Sequence, residues 1–231
     1  MAREFDLVNE INTDKQEIID IDSFFREMDL TKEQIDERIS FAKESREFFL
    51  FILAYLAVQY EKNAIDYVAT NNQFLNGYRN IIDGYVDRDD NINRYTERYV
   101  DDTLDTTQKR LAMELADSNV NVEQVLDNSY YLSEARAVEM AVNAALDVVN
   151  YKDFVTAIKR GFKHKKWISM ADRKVRKTHR IADGQVVPIG DYFHVGDALL
   201  AFPHDTITDG STGDMFLEEI INCRCSFRYI Q

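Results

Sequence analysis

The sequence contains little cysteine, and its two thiols lie close together near the C-terminal end. Cys223 and Cys225 are the only cysteines among 231 residues. This number excludes a scaffold held by several disulfides, and a disulfide between positions i and i+2 of a strand would be strained. The beginning of the chain, MAREFDLVNE, has no apolar run of the kind found in a secretory signal. We therefore expect a protein of a reducing cytoplasm.

Long hydrophobic runs are absent as well. The most apolar stretch extends from Phe48 to Val58, over eleven residues, whereas a helix that crosses a membrane needs about 20. The stretch lies within a longer helical pattern, so we expect a buried helix and no contact with a membrane. The chain has a net charge of −13, which should repel nucleic acid and anionic membranes at long range.

Glycine and proline are scarce in the first 160 residues, which contain only Gly77 and Gly84. The other six glycines and both prolines lie in the last 71 residues, and the charge changes at the same place. The last 71 residues hold 10 basic and 9 acidic side chains, which leaves 18 basic and 32 acidic ones for the first 160. The composition predicts an acidic region of long helices, followed by a nearly neutral region rich in turns.

Capping signals and apolar periodicity support the helical region. Thr31 and Gln34 fit a capping box, and apolar residues recur at spacings of three, four or seven from Ile35 to Tyr60. Antiparallel helices joined by short loops would form a bundle. Further helices are expected near 63–84, 92–117, 121–128 and 133–150, with loops at 83–93 and 117–121.

Shorter elements are expected in the second region. Strands are predicted at 165–169 and 185–189, a helix at 170–184, and a strand or loop at 197–202. The chain is therefore predicted to be an α+β protein. An acidic helical region of long helices over 1–130 precedes a small mixed α+β domain over 131–231.

The two cysteines belong to an alternating pattern. Ile221, Cys223, Cys225 and Phe227 would lie on the same face of one long strand over 218–230. Small buried thiols in a core strand are a common situation. The pattern therefore predicts a packing role for both sulfur atoms.

A basic segment extends from Lys159 to Arg180. Ten basic residues in it are opposed only by Asp172, so its net charge is +9. Clustered lysine and arginine side chains release counterions from nucleic acid, and the alternative is a basic surface that packs on an acidic partner or on the acidic helical region. The candidate nucleic-acid contacts are Lys159, Arg160, Lys163, Lys165, Lys166, Arg173, Lys174 and Lys177.

Metal binding is an alternative role for the histidines and cysteines. A tetrahedral zinc site needs four converging N or S ligands, and the candidates are His179, His204, Cys223 and Cys225. No Cys-x-x-Cys or His-x-x-x-His spacing accompanies them. The sequence therefore predicts no cofactor, with zinc as the alternative.

Acid–base chemistry is a further alternative. Spacings of four, three and four would place Asp172, Arg176, His179 and Asp183 on one face of the predicted helix. A histidine base with an arginine that holds phosphate would suit a phosphodiesterase-type nuclease. A structural network is favoured, in which Asp172 pairs with Arg176 and His179 with Asp183 or a backbone carbonyl, because no second catalytic group is marked.

An ordered set of short motifs in the second region resembles a known family. The set consists of Trp167, Asp172-x-x-Val175-Arg176-x-x-His179, Asp183-Gly184, Pro203-x-Asp205 and Asn222-Cys223-Arg224-Cys225. Over roughly residues 130–229 the chain resembles the head-morphogenesis domain of tailed bacteriophages, the family of phage Mu F-like minor head proteins.

The resemblance implies structural work during the assembly of the phage head. Minor head proteins of this family act during procapsid assembly, associate with the portal protein and other capsid components, and can touch the packaged DNA. The resemblance therefore implies that the protein is present in the host cytoplasm during assembly and afterwards inside the virion head.

The chain departs from the family pattern at two places. Some relatives carry Cys-x-x-Cys where this chain has Arg176-Lys-Thr-His179, and a histidine where it has Ile220 and Ile221. If those relatives bind a metal ion, this chain has lost part of the site.

The resemblance also suggests how the terminal cysteine motif is used. Cys223 and Cys225 are expected in a core strand, as structural supports of the domain. Arg224 would project from the opposite face and pair with a carboxylate such as Asp172 or Asp183.

Overall fold

The computed structural model describes residues 18–116, 121–170, 172–208, 217–220 and 223–231. These parts of the chain contain long helices first and short strands afterwards. The helices are α1 (Ile21–Arg26), α2 (Lys32–Glu61), α3 (Tyr67–Asp83), α4 (Asp90–Leu115), α5 (Val122–Asn128), α6 (Glu134–Lys159), α7 (Lys177–Ala182) and α8 (Leu217–Ile220), with a 3₁₀ turn at Tyr130–Leu132. The strands are β1 (His164–Ile168), β2 (Val186–Pro188), β3 (Phe193–Val195), β4 (Ala198–Leu200) and β5 (Ser226–Ile230).

Helix α2 begins where the sequence predicts it. The Thr31 hydroxyl accepts a hydrogen bond from the Gln34 backbone, and the Gln34 side chain accepts one from the Thr31 backbone. Both bonds satisfy N–H groups that a helix start leaves free. The predicted capping box is therefore confirmed, and so are the helices expected near 63–84, 92–117 and 121–128 to within a few residues. The predicted loop at 117–121 lies outside the described residues except for Asn121.

A buried arginine joins α2 to α6 in the centre of the helical core. The Arg38 side chain is 0% exposed, and its guanidinium donates to the Asn150 side chain at 2.6 Å, to Asp153 at 2.8 Å and to the Gln34 carbonyl at 3.0 Å. A buried charge is tolerated when it is paired and fully hydrogen-bonded. This network fixes the position of α2 relative to α6.

Helix α6 is longer than predicted. The sequence-based prediction ends this helix near residue 150, but the helix continues to Lys159. Asn150 is buried and donates to the Pro203 carbonyl at 2.8 Å. A polar side chain with a tertiary partner does not interrupt the helix, and the sequence gives no sign of that partner.

Two small antiparallel sheets follow the helices. One has the strand order β2–β1–β5, in which Trp167 lies opposite Phe227, and the other pairs β3 with β4. Alternate residues of β1 are buried, so the sheet has one covered and one open face. The covered face contributes to a second hydrophobic core, separate from the helical one, with the members Trp167, Ala182, Phe193, Val195, Ala198, Leu200, Cys223 and Cys225.

Two predicted elements of the second region are wrong. The helix expected over 170–184 is limited to α7, because the Asp172 side chain accepts hydrogen bonds from the backbones of Lys174 and Val175 and holds a turn there. The strand expected over 218–230 is divided into α8 and β5. Cys223 and Cys225 therefore lie in the irregular segment before β5, not on one face of a strand.

The predicted α+β class is confirmed, with long helices first and a small antiparallel part last. Helix α6 packs mainly on α2, although the predicted boundary at residue 130 assigns it to the second domain; that boundary stays a prediction. Among the described helices, none combines the length and apolarity that a membrane span requires.

Candidate functional site

The second core contains a closed cluster of histidine, thiol and carboxylate groups. Nδ1 of His179 lies 3.3 Å from the Cys225 sulfur and 3.6 Å from the Cys223 sulfur. The other ring nitrogen, Nε2, lies 3.0 Å from a carboxylate oxygen of Glu219. The same oxygen accepts a hydrogen bond of 2.7 Å from the Thr178 hydroxyl. We call His179, Glu219, Cys223 and Cys225 the His–Cys cluster.

Aromatic rings enclose the His–Cys cluster. The Trp167 ring meets His179 edge to face at 5.8 Å, and it meets Phe193 at 5.3 Å. Trp167 is 0% exposed, and His179, Cys223 and Cys225 are each 2% exposed. Both ring nitrogens of His179 have partners among the described residues. The arrangement suits a structural support or an enclosed ion.

The two thiols have opposite acidities. A hydrogen bond from Cys225 lowers the pKa of Cys223 well below its ordinary value, and His179 lowers it further. The same contact with Cys223, together with burial, raises the pKa of Cys225. Cys223 is therefore the sulfur that holds negative charge, and Cys225 keeps its proton.

His179 faces that negative charge. Burial opposes the charged imidazolium, but the hydrogen bond and charge of Cys223 and the charge of Glu219 outweigh it, so the pKa of His179 is raised. A cationic ring beside a sulfur anion and a carboxylate is stable without solvent. A general base needs a free nitrogen near its substrate, and this geometry provides none, which does not support the nuclease alternative with His179 and Arg176.

The predicted polar face around His179 is not formed. Asp172 lies in the turn before α7, Arg176 is at its N-cap, and Asp183 follows its last residue. Asp183 accepts a hydrogen bond from the Ser169 backbone at 2.7 Å. His179 instead pairs with Glu219, so the expected His179–Asp183 contact is wrong.

The expected partner of Arg224 is confirmed. Its guanidinium pairs with Asp172, and a second contact at 3.4 Å reaches Glu27 beyond α1. The hydrogen bond from Arg224 is the main reason why the pKa of Asp172 is lowered. Arg224 thus joins the turn before α7 to the cysteine segment. Asn222, the first residue of that motif, lies outside the described residues.

The predicted four-ligand metal set is only partly brought together. Ligand atoms of His179, Cys223 and Cys225 lie within 4.8 Å of one another and could hold a metal ion. His204 does not join this group, because it is buried beside α6 and pairs with Asp147 at 2.9 Å. The described residues therefore offer a three-ligand site, with Glu219 behind the histidine.

The remaining motif residues shape the loops of the second region. Gly184 follows α7 with a φ of +78°, which glycine adopts without strain. The Asp205 side chain is buried and accepts hydrogen bonds from the backbones of Ala201 and Ile207. Pro203 supplies the carbonyl to which Asn150 donates. These residues position a loop and take no part in the His–Cys cluster.

The basic candidates differ in accessibility. Lys165 is 0% exposed and donates to the Ala201 carbonyl at 2.7 Å, so it does not belong to a nucleic-acid surface. Lys159 is paired with Asp87 at 3.2 Å. The candidates whose side chains are exposed without such a contact are Arg160, Lys163, Lys166, Arg173, Lys174 and Lys177.

Sequence reasoning missed Glu219 and Asp147. Glu219 was included in a predicted strand, and Asp147 lies in a helix among apolar residues. Glu219 pairs with His179, which is 40 residues away, and Asp147 pairs with His204, which is 57 residues away. The signal for Asp147 is an acid on the buried face of an apolar helix, which requires a partner.

Comparisons with protein-family models, curated proteins and solved structures give no significant match.

Proposed function

We propose that the protein is a minor head protein of a tailed bacteriophage, which associates with the portal protein and other capsid components during procapsid assembly. One observation carries this proposal. Three of the motifs that resemble the Mu F-like family contribute to one core, where Trp167, His179, Cys223 and Cys225 are almost completely buried. Residues that act in catalysis usually border an accessible cavity.

A cavity lies elsewhere in the described part of the chain and is consistent with the same proposal. It has a volume of about 500 Å³ and is lined by residues that include Leu30, Arg160 and Phe227, without any member of the His–Cys cluster. The motif residues therefore stabilise the second region, and the surfaces of the protein are left for contacts with capsid partners. In this role the protein passes from the host cytoplasm into the virion head.

Co-purification tests the association. The full chain would be co-expressed with the portal protein of the same genome, and the complex isolated through a tag on the portal. The proposal expects the two proteins to co-purify and the chain to sediment with procapsids. Absence of the chain from procapsids and from portal complexes would contradict the proposal.

DNA contact is a further part of the proposal, through the exposed members of the basic segment. Lys166 and Lys174 are exposed there, and phosphate contacts of lysines weaken steeply with salt. The Lys166→Glu/Lys174→Glu double variant should bind a short DNA duplex more weakly at low salt than the wild type. Lys62→Glu, an exposed lysine of the helical region, is the matched control. Equal binding by both variants would exclude this surface.

Zinc at the His–Cys cluster is a second proposed property, and a specific distance favours it. In a tetrahedral zinc site an imidazole nitrogen and a thiolate sulfur lie about 3.6 Å apart, and the two distances from His179 are 3.3 Å and 3.6 Å. Glu219 would orient the ring through its other nitrogen, as carboxylates do for zinc-bound histidines. His179, Cys223 and Cys225 would hold the ion, which would fasten α7 to the cysteine segment.

Metal analysis tests this property independently of the portal. Protein purified under reducing conditions should contain about one zinc ion per chain. The Cys223→Ser variant should contain no zinc and should unfold at a lower temperature. His194→Gln, at an exposed histidine of β3, should keep it. A metal-free wild type that is stable in the presence of a chelator would mean that hydrogen bonds alone support the cluster.

A further inference from the structure

The loop 201–208 joins the helical core to the strands. The Pro203 carbonyl accepts a hydrogen bond of 2.8 Å from Asn150 of α6. The Ala201 carbonyl accepts one of 2.7 Å from Lys165 of β1. The loop is thus hydrogen-bonded to the helical core and to the strands, and its attachment to α6 contributes to the connection between these two regions.

A chain of buried polar groups extends from this loop into the helical core. Nδ1 of His204 lies 2.9 Å from one carboxylate oxygen of Asp147. The other oxygen accepts a hydrogen bond of 3.2 Å from the Tyr95 hydroxyl, which lies 3.1 Å from the Tyr78 hydroxyl. The side chains of His204 and Asp147 are each 4% exposed. The loop therefore brings a titratable group against a carboxylate that water does not reach.

His204 is held in an unfavourable conformation. Its φ is +64°, in the left-handed region that is unfavourable for residues other than glycine. Its Nε2 is buried and finds no hydrogen-bond partner among the described residues. Such a position persists only if a strong contact compensates for it, and the contact with Asp147 is the one in place.

Charged groups from each packed element surround the histidine. Asp147 of α6 faces it directly, Tyr95 of α4 donates to the same carboxylate, and the charge of Cys223 acts on it from the cysteine segment. Burial opposes its charged form, but the charge and hydrogen bond of Asp147 outweigh burial, so the pKa of His204 is raised.

The other charges near the loop are already engaged. Asp205 binds backbone groups of its own loop, Lys165 donates to Ala201, and Arg98 of α4 donates to the Thr206 carbonyl. The charge of His204 therefore depends mainly on Asp147.

We propose that His204 and Asp147 form a pH-sensitive latch, closed while His204 is protonated, which holds the loop 201–208 on helix α6. Loss of the proton leaves the Asp147 carboxylate buried without a cation, although the Tyr95 hydroxyl still donates to it. The loop is then released more easily from α6.

The direction of the pH effect follows from linkage. A group whose pKa is raised on folding stabilises the folded state fully below its unfolded pKa, which for histidine is about 6.5, and the stabilisation is lost as pH rises through the folded pKa. In that window the opening equilibrium of the loop should rise by at most about tenfold per pH unit. The latch is therefore closed in mildly acidic solution and weaker in alkaline solution.

Hydrogen exchange of the full chain, corrected for intrinsic rates, tests the latch. Peptides that cover 198–208 should lose protection as pH rises above 6.5, while α2 keeps its protection. His204→Gln should remove this pH dependence, whereas His194→Gln, an exposed histidine nearby, should retain it. The same pH profile in wild type and His204→Gln would overturn the latch.

An NMR titration keeps the test valid if His204→Gln does not fold. The wild-type His204 resonance should titrate above pH 6.5. In Asp147→Asn the main anion that opposes the effect of burial is absent, so His204 should titrate at a lower pH than in the wild type. A His204 that titrates at or below 6.5 in the wild type, or that does not change in Asp147→Asn, would overturn the proposal.

Discussion

Nε2 of His179 lies 3.0 Å from Oε2 of Glu219, on the side of the ring that faces away from the two cysteine sulfurs. Glu219 therefore determines which nitrogen faces the thiols. The His–Cys cluster depends on a carboxylate from α8 as much as on the cysteines themselves.

Glu219→Ala should destabilise the second region. It removes the partner of a buried nitrogen and of the Thr178 hydroxyl, and an unsatisfied buried group costs about 1–3 kcal/mol. It should also lower the pKa of His179, because the Glu219 charge helps to raise it. Urea denaturation and NMR titration measure the two effects. Glu218→Ala, at the exposed neighbour, should change neither.

The buried Arg38 should be among the most sensitive residues of the helical core. Arg38→Met leaves Asp153, whose side chain is 18% exposed, without its cation, and breaking a buried pair on one side costs on the order of 3 kcal/mol. Arg38→Met/Asp153→Leu removes both charges and should recover much of that loss in urea denaturation. Arg26→Ala is the control, since that pair is exposed. A loss for Arg38→Met as small as that of the control would contradict this prediction.

Lys165 should make stability depend on pH in the alkaline range. Burial lowers the pKa of this lysine to about 8, and its ammonium lies 4.6 Å from the Phe154 ring and 5.2 Å from the Phe193 ring. Between pH 8 and 10.5 the unfolded chain binds a proton that the folded chain has released. The contribution of Lys165 to stability therefore increases with pH in that window, by at most about 1.4 kcal/mol per pH unit.

The measurement is the stability difference between wild type and Lys165→Met. The free energy of unfolding of the wild type should increase relative to that of Lys165→Met from pH 8 to pH 9.5, a range that lies below the titration of the tyrosines. Lys166→Met, at the exposed neighbour in β1, should show no such slope. A difference that stays constant with pH would mean that Lys165 keeps its proton in the folded protein over this range, and would contradict the lowered pKa.

The sequence predicted those parts of the fold that depend on local signals. The capping box at Thr31 and the apolar stripe of α2 identify the main helix, because each signal lies within a few residues of its effect. The alternation around Cys223 and Cys225 failed as a strand signal. Both thiols point into the same cluster from an irregular segment, which no pattern of period two describes.

The candidate site was predictable in its members but not in its contacts. Trp167, His179 and both cysteines were predicted to meet, and of the two carboxylates proposed for Arg224, Asp172 and Asp183, the structure shows Asp172. The partners Glu219 and Asp147 depend on contacts across 40 and 57 residues. Contacts at that separation arise from tertiary packing, and spacing along the chain does not reveal them.

Gly196 provides a test of how closely the His–Cys cluster is packed. It occupies the turn between β3 and β4 with a φ of +59°, and a Cβ there would lie 2.3 Å from a carboxylate oxygen of Glu219. Gly196→Ala should therefore combine backbone strain of about 1–3 kcal/mol with displacement of Glu219 from His179. Gly184→Ala is the matched control, since its φ is +78° and no atom lies within 4 Å of the added Cβ.

A double-mutant cycle separates the two contributions, because residues in contact give non-additive changes. In a Glu219→Ala background the closest clash is absent, although Thr178 Cγ2 still lies 3.1 Å from the added Cβ, so Gly196→Ala should cost less than it does in the wild type. In the wild-type background it should cost clearly more than Gly184→Ala, as measured by urea denaturation. If Gly196→Ala and Gly184→Ala cost the same in the wild type, Glu219 moves aside freely. Its contact with His179 would then contribute little to the stability of the second region.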